Sequence, residues 1–168
     1  MLDELIQIVP PPDQPIHVGS GDEWQEVCEA LGFEPPQDLY LLSHHYGSGR
    51  FCRGKQWLEI HSVFAPRYLP LFRFNELVFR QEAATSPDLY QDIVEIGNYG
   101  WGDEGGSGGR LFWKMNGDRT RFELALTRPQ AMFSMDLITF LMNAFTHKLE
   151  IESPIHFVKP PAFEPNTK

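Results

Sequence analysis

The most unusual stretch of this 168-residue chain, and the first place to look for chemistry, is rich in glycine. Seven of the 14 glycines fall in Gly97-Asn98-Tyr99-Gly100-Trp101-Gly102-Asp103-Glu104-Gly105-Gly106-Ser107-Gly108-Gly109. A phosphate cradle needs backbone N–H groups that open a helix, usually beside a Lys. This stretch instead leads into the strand-like Arg110-Leu111-Phe112-Trp113 and carries Asp103 and Glu104, whose carboxylates repel a phosphate. A calcium loop needs the Asp-x-Asp-x-Asp-Gly spacing and a closing Glu, and both are missing. The composition suits a β–β connection that doubles as an acidic contact loop. In that reading Tyr99 and Trp101 are aromatic anchors beside Asp103 and Glu104.

Six histidines raise the question of metal or general-base chemistry. His44 and His45 are adjacent in a helical segment and point about 100° apart, so they cannot share a ligand face, and no His-x-x-x-His pair occurs. Neither a Gly-x-Ser-x-Gly elbow nor a His-Glu-x-x-His helix is present. Cys28 falls on an apolar helix face and Cys52 stands between Phe51 and Arg53 in a strand. Neither has the cationic or helix-start surroundings that activate a thiol. The pairs Asp22-Glu23 and Asp103-Glu104 read as a complement to a helix start and as a solvated turn. The chain is therefore expected to have no catalytic residue, no metal site and no cofactor, and not to be an enzyme.

The elements that would position these residues are legible from periodicity. Ser20-Gly21-Asp22-Glu23 is a capping box, and Trp24, Val27, Cys28 and Leu31 recur at helical spacing before a stop at Gly32. Pro35-Pro36 breaks the chain ahead of a second helix from about Gln37, with Leu39, Leu42 and Tyr46 inward and Gly47 at its end. Arg50 to Arg53 and Gln56 to His61 flank a Gly54-Lys55 turn and predict a hairpin. Pro70 to Ala84 predicts a third helix with Leu71, Phe74, Leu77 and Val78 on one face. Strands are expected at about Asp92 to Asn98, Arg110 to Met115 and Thr120 to Thr127, the last two joined through Asn116-Gly117. Alternation places Phe112 opposite Leu111 and Trp113, so both faces of that strand are expected to be covered. Ser134 is a candidate cap for a final helix with Leu137, Ile138, Leu141, Met142 and Phe145 inward. The sum is an α+β domain: a mostly antiparallel sheet packed with an N-terminal helix pair, a middle helix and a C-terminal helix.

Proline frames that domain. Four of the 14 prolines lie in the first 15 residues and four in the last 15, so residues 1–19 and 151–168 are expected to be extended arms around a body at 20–150. The C-terminal arm, with Ile151, Ile155, Phe157, Val158 and Phe163, is apolar enough to pack along the body as a strand-like strip.

Charge narrows the partners. With 14 Lys and Arg against 23 Asp and Glu, the formal charge is −9, which disfavours direct binding to nucleic acid or to an anionic membrane. The acidic start Met1-Leu2-Asp3-Glu4 lacks the basic opening of a secretory signal, and no apolar run approaches the roughly 18 residues of a membrane span. The two cysteines form no disulfide framework, so a reducing cytosol is the expected compartment.

Several of these motifs together resemble a known family. Trp24-x-x-Val27 followed by Leu31-Gly32, then Pro36-x-Asp38, then Tyr46-Gly47-Ser48-Gly49-Arg50-Phe51, resembles the opening of the SUKH superfamily. That group includes bacterial immunity proteins and the yeast cell-wall-assembly regulator. The acidic glycine turn entering Leu111-Phe112-Trp113 and the late Ser134-Met135 leading to Phe140-Leu141 are similar to its central strand and final helix. Pro35 before Pro36, and Leu39 directly after Asp38, depart from the family pattern. The resemblance implies a binding scaffold without a shared catalytic set. It points to an immunity protein that neutralises a cognate polymorphic toxin, a nuclease or nucleic-acid deaminase of basic character, since complementary charge speeds encounter. The alternative is a regulatory or scaffold module with no toxin partner. A small-ligand binder would instead require a concave pocket with convergent polar groups.

Overall fold

The chain begins with a helix where an extended arm was expected. Helix α1 runs Leu2–Ile8, because Leu2, Leu5, Ile6 and Val9 repeat at helical spacing, and Pro10 ends the run. Leu5 and Val9 are fully buried, and the Tyr46 hydroxyl donates to the Val9 carbonyl at 2.6 Å, which fastens the segment to the body. Only the proline-rich part after Val9 runs without helix or strand.

The computed structural model describes residues 1–84, 92–102, 108–116, 121–127, 130–149, 157 and 159–166. Helix α2, Gly21–Leu31, starts at the expected capping box: the Ser20 hydroxyl accepts from the Glu23 N–H, and the Glu23 carboxylate accepts from the Ser20 N–H at 2.8 Å. Trp24, Val27 and Leu31 are buried, and Gly32 closes the helix at φ +74°. Helix α3, Gln37–Tyr46, buries Leu39, Leu42 and Tyr46 as the spacing predicts. It stops at Gly47 for two reasons. The residue has φ +65°, and a Cβ there would stand 2.0 Å from the Ile16 carbonyl oxygen.

Strands β1, Gly49–Arg53, and β2, Gln56–Ile60, form the expected hairpin. After helix α4, Tyr68–Ala83, the chain continues through β3, Ile93–Trp101, then β4, Gly108–Met115, β5, Phe122–Thr127, and β6, Gln130–Phe133. Helix α5, Leu137–Phe145, follows, and β7, Ala162–Pro165, returns to the far edge beside β1. Among the described residues these make one antiparallel sheet in the order β6-β5-β4-β3-β2-β1-β7, so the fold is α+β. The C-terminal arm is strand-like at 162–165, where Phe163 packs its ring 5.1 Å from Tyr46 and 5.0 Å from Phe51.

Four local readings change. The glycine stretch is not all loop, because β3 runs to Trp101 and β4 starts at Gly108. Helix α4 turns Phe74 and Leu77 outward, at 62% and 58% exposure, and buries Tyr68, Asn75 and Phe79 instead. Helix α5 is capped by Asp136, whose carboxylate accepts from the Thr139 N–H at 2.8 Å, while Ser134 donates to Glu123. The short strand β6 had no alternating pattern to announce it.

Two apolar clusters hold the layers. The larger joins Leu58, Tyr99, Leu111, Trp113 and Leu124 on the sheet to the apolar faces of α1, α2, α3 and α5. The smaller, Phe79 with Ile93, Phe112 and Ala125, lies on the opposite face under α4, so Phe112 does point away from Leu111 and Trp113. Burying each such aromatic or aliphatic side chain contributes about 1.5–3 kcal/mol.

Candidate functional site

The sheet face opposite the main core carries a polar row in register. Glu164 of β7 stands beside Arg50 of β1, Arg50 opposite Glu59 of β2, Glu59 opposite Asn98 of β3, and Asn98 opposite Arg110 of β4. Strand alternation produces this directly, since the neighbours Phe51, Leu58, Tyr99 and Leu111 all point into the main core. Cross-strand neighbours in such a row interact strongly when their charges are opposite.

The contacts are specific. Arg50 Nε donates to Glu59 at 3.2 Å, and Arg67, at the start of α4, lies 3.8 Å from the other Glu59 oxygen. Glu95 accepts from the Asn75 amide at 3.1 Å and lies 3.7 Å from Arg110. The Asn98 amide nitrogen is 3.2 Å from His61 Nε2. Helix α4 and the turn before it roof this row and leave a cavity of about 520 Å³ bounded by Arg50, Glu59, His61, Arg67, Tyr68 and Glu95 among others.

Burial tunes the groups in it. Desolvation pushes the Glu95 carboxyl from 4.5 up to about 7, with Arg110 opposing and Glu59 adding to the rise. Desolvation holds His61 below its ordinary value, so its ring is neutral at pH 7, and the nearby Arg67 acts in the same sense while Glu59 opposes. The Tyr68 hydroxyl is also pushed up by burial. Among the described residues, neither His61 Nδ1 nor the buried Tyr68 hydroxyl has a hydrogen-bond partner.

A larger cavity, about 970 Å³, lies where α3 and α5 begin, and Asp38, Asn116, Arg121 and Asp136 are among its lining residues. Its buried acid is Asp38, one oxygen of which accepts the Leu137 N–H and so ties the start of α3 to the start of α5. The Asp in Pro36-x-Asp38 thus has a structural task.

The expected contact set is only partly brought together. Tyr99 is not a surface anchor: it is fully buried, because β3 alternation turns it into the core, where its ring fills the space above Gly109. Trp101, at the end of β3, is 50% exposed and available to a partner. Asp103 and Glu104 lie outside the described residues. Among the described residues no group of three or more His, Cys, Asp or Glu side chains is arranged to hold a metal, and no helix is long and apolar enough to cross a membrane.

One surface feature was countable from the residues alone but not picked out by motif. The first Lys or Arg is Arg50, and the 49 residues before it hold nine Asp and Glu. After Gly49 the remaining 14 acids match the 14 basic residues, so the whole charge of −9 belongs to the N-terminal helical segment. Eight of those nine carboxylates are exposed, with only Asp38 buried. Asp3, Glu4, Asp22 and Glu23 sit in first helical turns, where they complement the helix dipole. Glu26, Glu29 and Glu34 have no such duty, and they continue the exposed surface away from buried Trp24, Val27 and Leu31.

No protein-family model matches the chain, and no curated protein or solved structure does so either. A functional reading therefore rests on the residues and their arrangement.

Proposed function

We propose that this chain is a non-enzymatic binding protein of the SUKH-like immunity type, acting in the cytosol, whose acidic helical surface covers a basic cognate toxin. The toxin class with the matching surface is a nuclease or nucleic-acid deaminase, because its substrate groove must be cationic to hold phosphates. One observation carries the reading: the entire charge excess is concentrated in residues 1–49, with no Lys or Arg among them. An acidic patch of this kind raises the encounter rate with a basic partner, and its carboxylates occupy the positions that phosphates would take. Trp101, half-exposed, is an aromatic residue that can add apolar contact at a partner interface.

The test is co-expression with the product of the adjacent gene, followed by charge reversal on α2. The chain is expected to form a stable complex with that product and to protect cells from it. Glu26→Lys with Glu29→Lys is expected to slow association by about tenfold at low salt and to flatten its salt dependence. Both residues are exposed, so folding should be unaffected. Unchanged association kinetics in the double variant, or no complex and no protection, would refute the proposal.

A further inference from the structure

Helix α4 carries apolar side chains on more of its circumference than the sheet covers. Tyr68, Asn75 and Phe79 are buried and Leu71 and Val78 half-buried, yet Phe74 and Leu77 stay exposed. Pro70, Phe74, Leu77 and Gln81 are all exposed, and their spacing of four, three and four residues sets them in one stripe along the helix. At 1.5 Å per residue that stripe is about 16 Å long. The same spacing is how one helix offers a seam to another, and a helix apolar on opposite sides is ordinarily covered on both.

Charge around the stripe is the reverse of that on the N-terminal helices. Residues 50–84 hold six Lys and Arg against three Asp and Glu, a net +3, where residues 1–49 hold −9. From His61 to Asn75 there is no Asp or Glu, while Arg67 and Arg73 are both exposed. Arg67 reaches Glu59 at 3.8 Å yet keeps its side chain 75% exposed. Arg73, four residues before Leu77 and so beside it on the helix surface, has no carboxylate partner among the described residues. A second α4 would bring two more arginines to this seam and no acid from 61–75 to offset them. The α2 of a second copy offers carboxylates but, Ala30 aside, no apolar side chain on its exposed face.

We propose that the outer stripe of α4 docks an acidic amphipathic helix of a partner protein, its apolar side chains laid over Phe74 and Leu77 and its carboxylates toward Arg73 and Arg67. Apolar contact supplies the affinity, as in other complexes where a helix presents anchors at positions i, i+3 or i+4 and i+7. The arginines supply the choice of sign, since a basic helix would meet like charge. A net charge of −9 argues against an anionic membrane as the occupant. The stripe uses none of the exposed acids of the N-terminal helices, so it stands whether or not the toxin-binding proposal does.

Fluorescence anisotropy with the whole chain and a labelled helical peptide of about 18 residues tests the proposal, the peptide carrying a leucine stripe at a and d positions flanked by Glu. One control peptide has Lys for every Glu, and a second has Ser for every Leu. The acidic amphipathic peptide is expected to bind saturably at about 100 μM or below, with each control at least about tenfold weaker. Phe74→Ser with Leu77→Ser is expected to weaken binding by at least about tenfold at unchanged melting temperature, because both side chains are exposed. Arg73→Glu, a surface change that keeps the apolar stripe, is expected to abolish the preference for Glu over Lys flanks. No binding, equal binding of the Lys peptide, or a preference untouched by Arg73→Glu would overturn the proposal. Two other occupants would overturn it as well: a dimer in sedimentation that the double Ser variant loses, or binding to phosphatidylserine vesicles without binding to the acidic peptide.

Discussion

Glu95 makes the outer polar row a determinant of how stability follows pH. Its side chain is 8% exposed, accepts from Asn75, and has Arg110 at 3.7 Å. Burial lifts its carboxyl from 4.5 to about 7 even against that cation. A carboxyl with a folded pKa above its unfolded one binds its proton more tightly in the folded state. Its contribution is therefore fully present below about pH 4.5 and is lost as pH rises through about 7. The interval from 4.5 to about 7, at about 1.4 kcal/mol per pH unit, corresponds to about 3 kcal/mol. Glu95→Gln removes the titration while keeping an acceptor for Asn75. Urea unfolding followed by tryptophan fluorescence, for both proteins at stepped pH, reads the difference and cancels the opposing titration of His61. The stability of the Gln variant relative to the native chain is expected to rise by about 3 kcal/mol from about pH 4 to about pH 8. A difference that is flat with pH, or one that falls, would refute the argument.

Two further outcomes follow from packing. Asp38→Ala removes the acceptor for the buried Leu137 N–H and is expected to cost about 2 kcal/mol in denaturant unfolding, with Asp38→Asn recovering part of the loss. Gly109→Ala would place a Cβ 2.4 Å from the hydroxyl of the fully buried Tyr99, so it is expected to lower stability by about 1–3 kcal/mol, measured by the same unfolding.

Local chemistry explains which parts of the molecule could be read in advance. The α2 capping box, the Gly54-Lys55 hairpin and the burial of Leu137, Ile138, Leu141 and Phe145 on α5 depend on residues close together in sequence, and each is found where spacing placed it, although Met142 is only half-buried and Phe140 is buried in addition. Helix α1 was equally readable from Leu2, Leu5, Ile6 and Val9, but the prolines that follow drew the whole segment into an arm. Apolar residues all around α4 left its face undecided, and it was set by which side chains met Phe112 and the sheet. The polar cavity was not legible at all. It needs Arg50, Glu59 and Asn98 in register across three strands, and register is a property of pairing rather than of any one segment. Tyr99 misled for the same reason: glycine neighbours suggested a loop, whereas Gly109 opposite it is what lets its ring lie flat on the sheet.

The position of β7 bears on how the chain reaches its fold. β1 pairs with β2 at once, but its other edge waits for Ala162–Pro165, the last-translated of the sheet's strands. At ribosomal speeds of about 5–20 residues per second, that edge stays unpaired for several seconds beside uncovered Phe51 and Tyr46. During that interval the nascent chain offers any passing strand the same backbone ladder that its own C-terminal segment later takes. A holdase chaperone therefore has a defined window and a defined place at which to act.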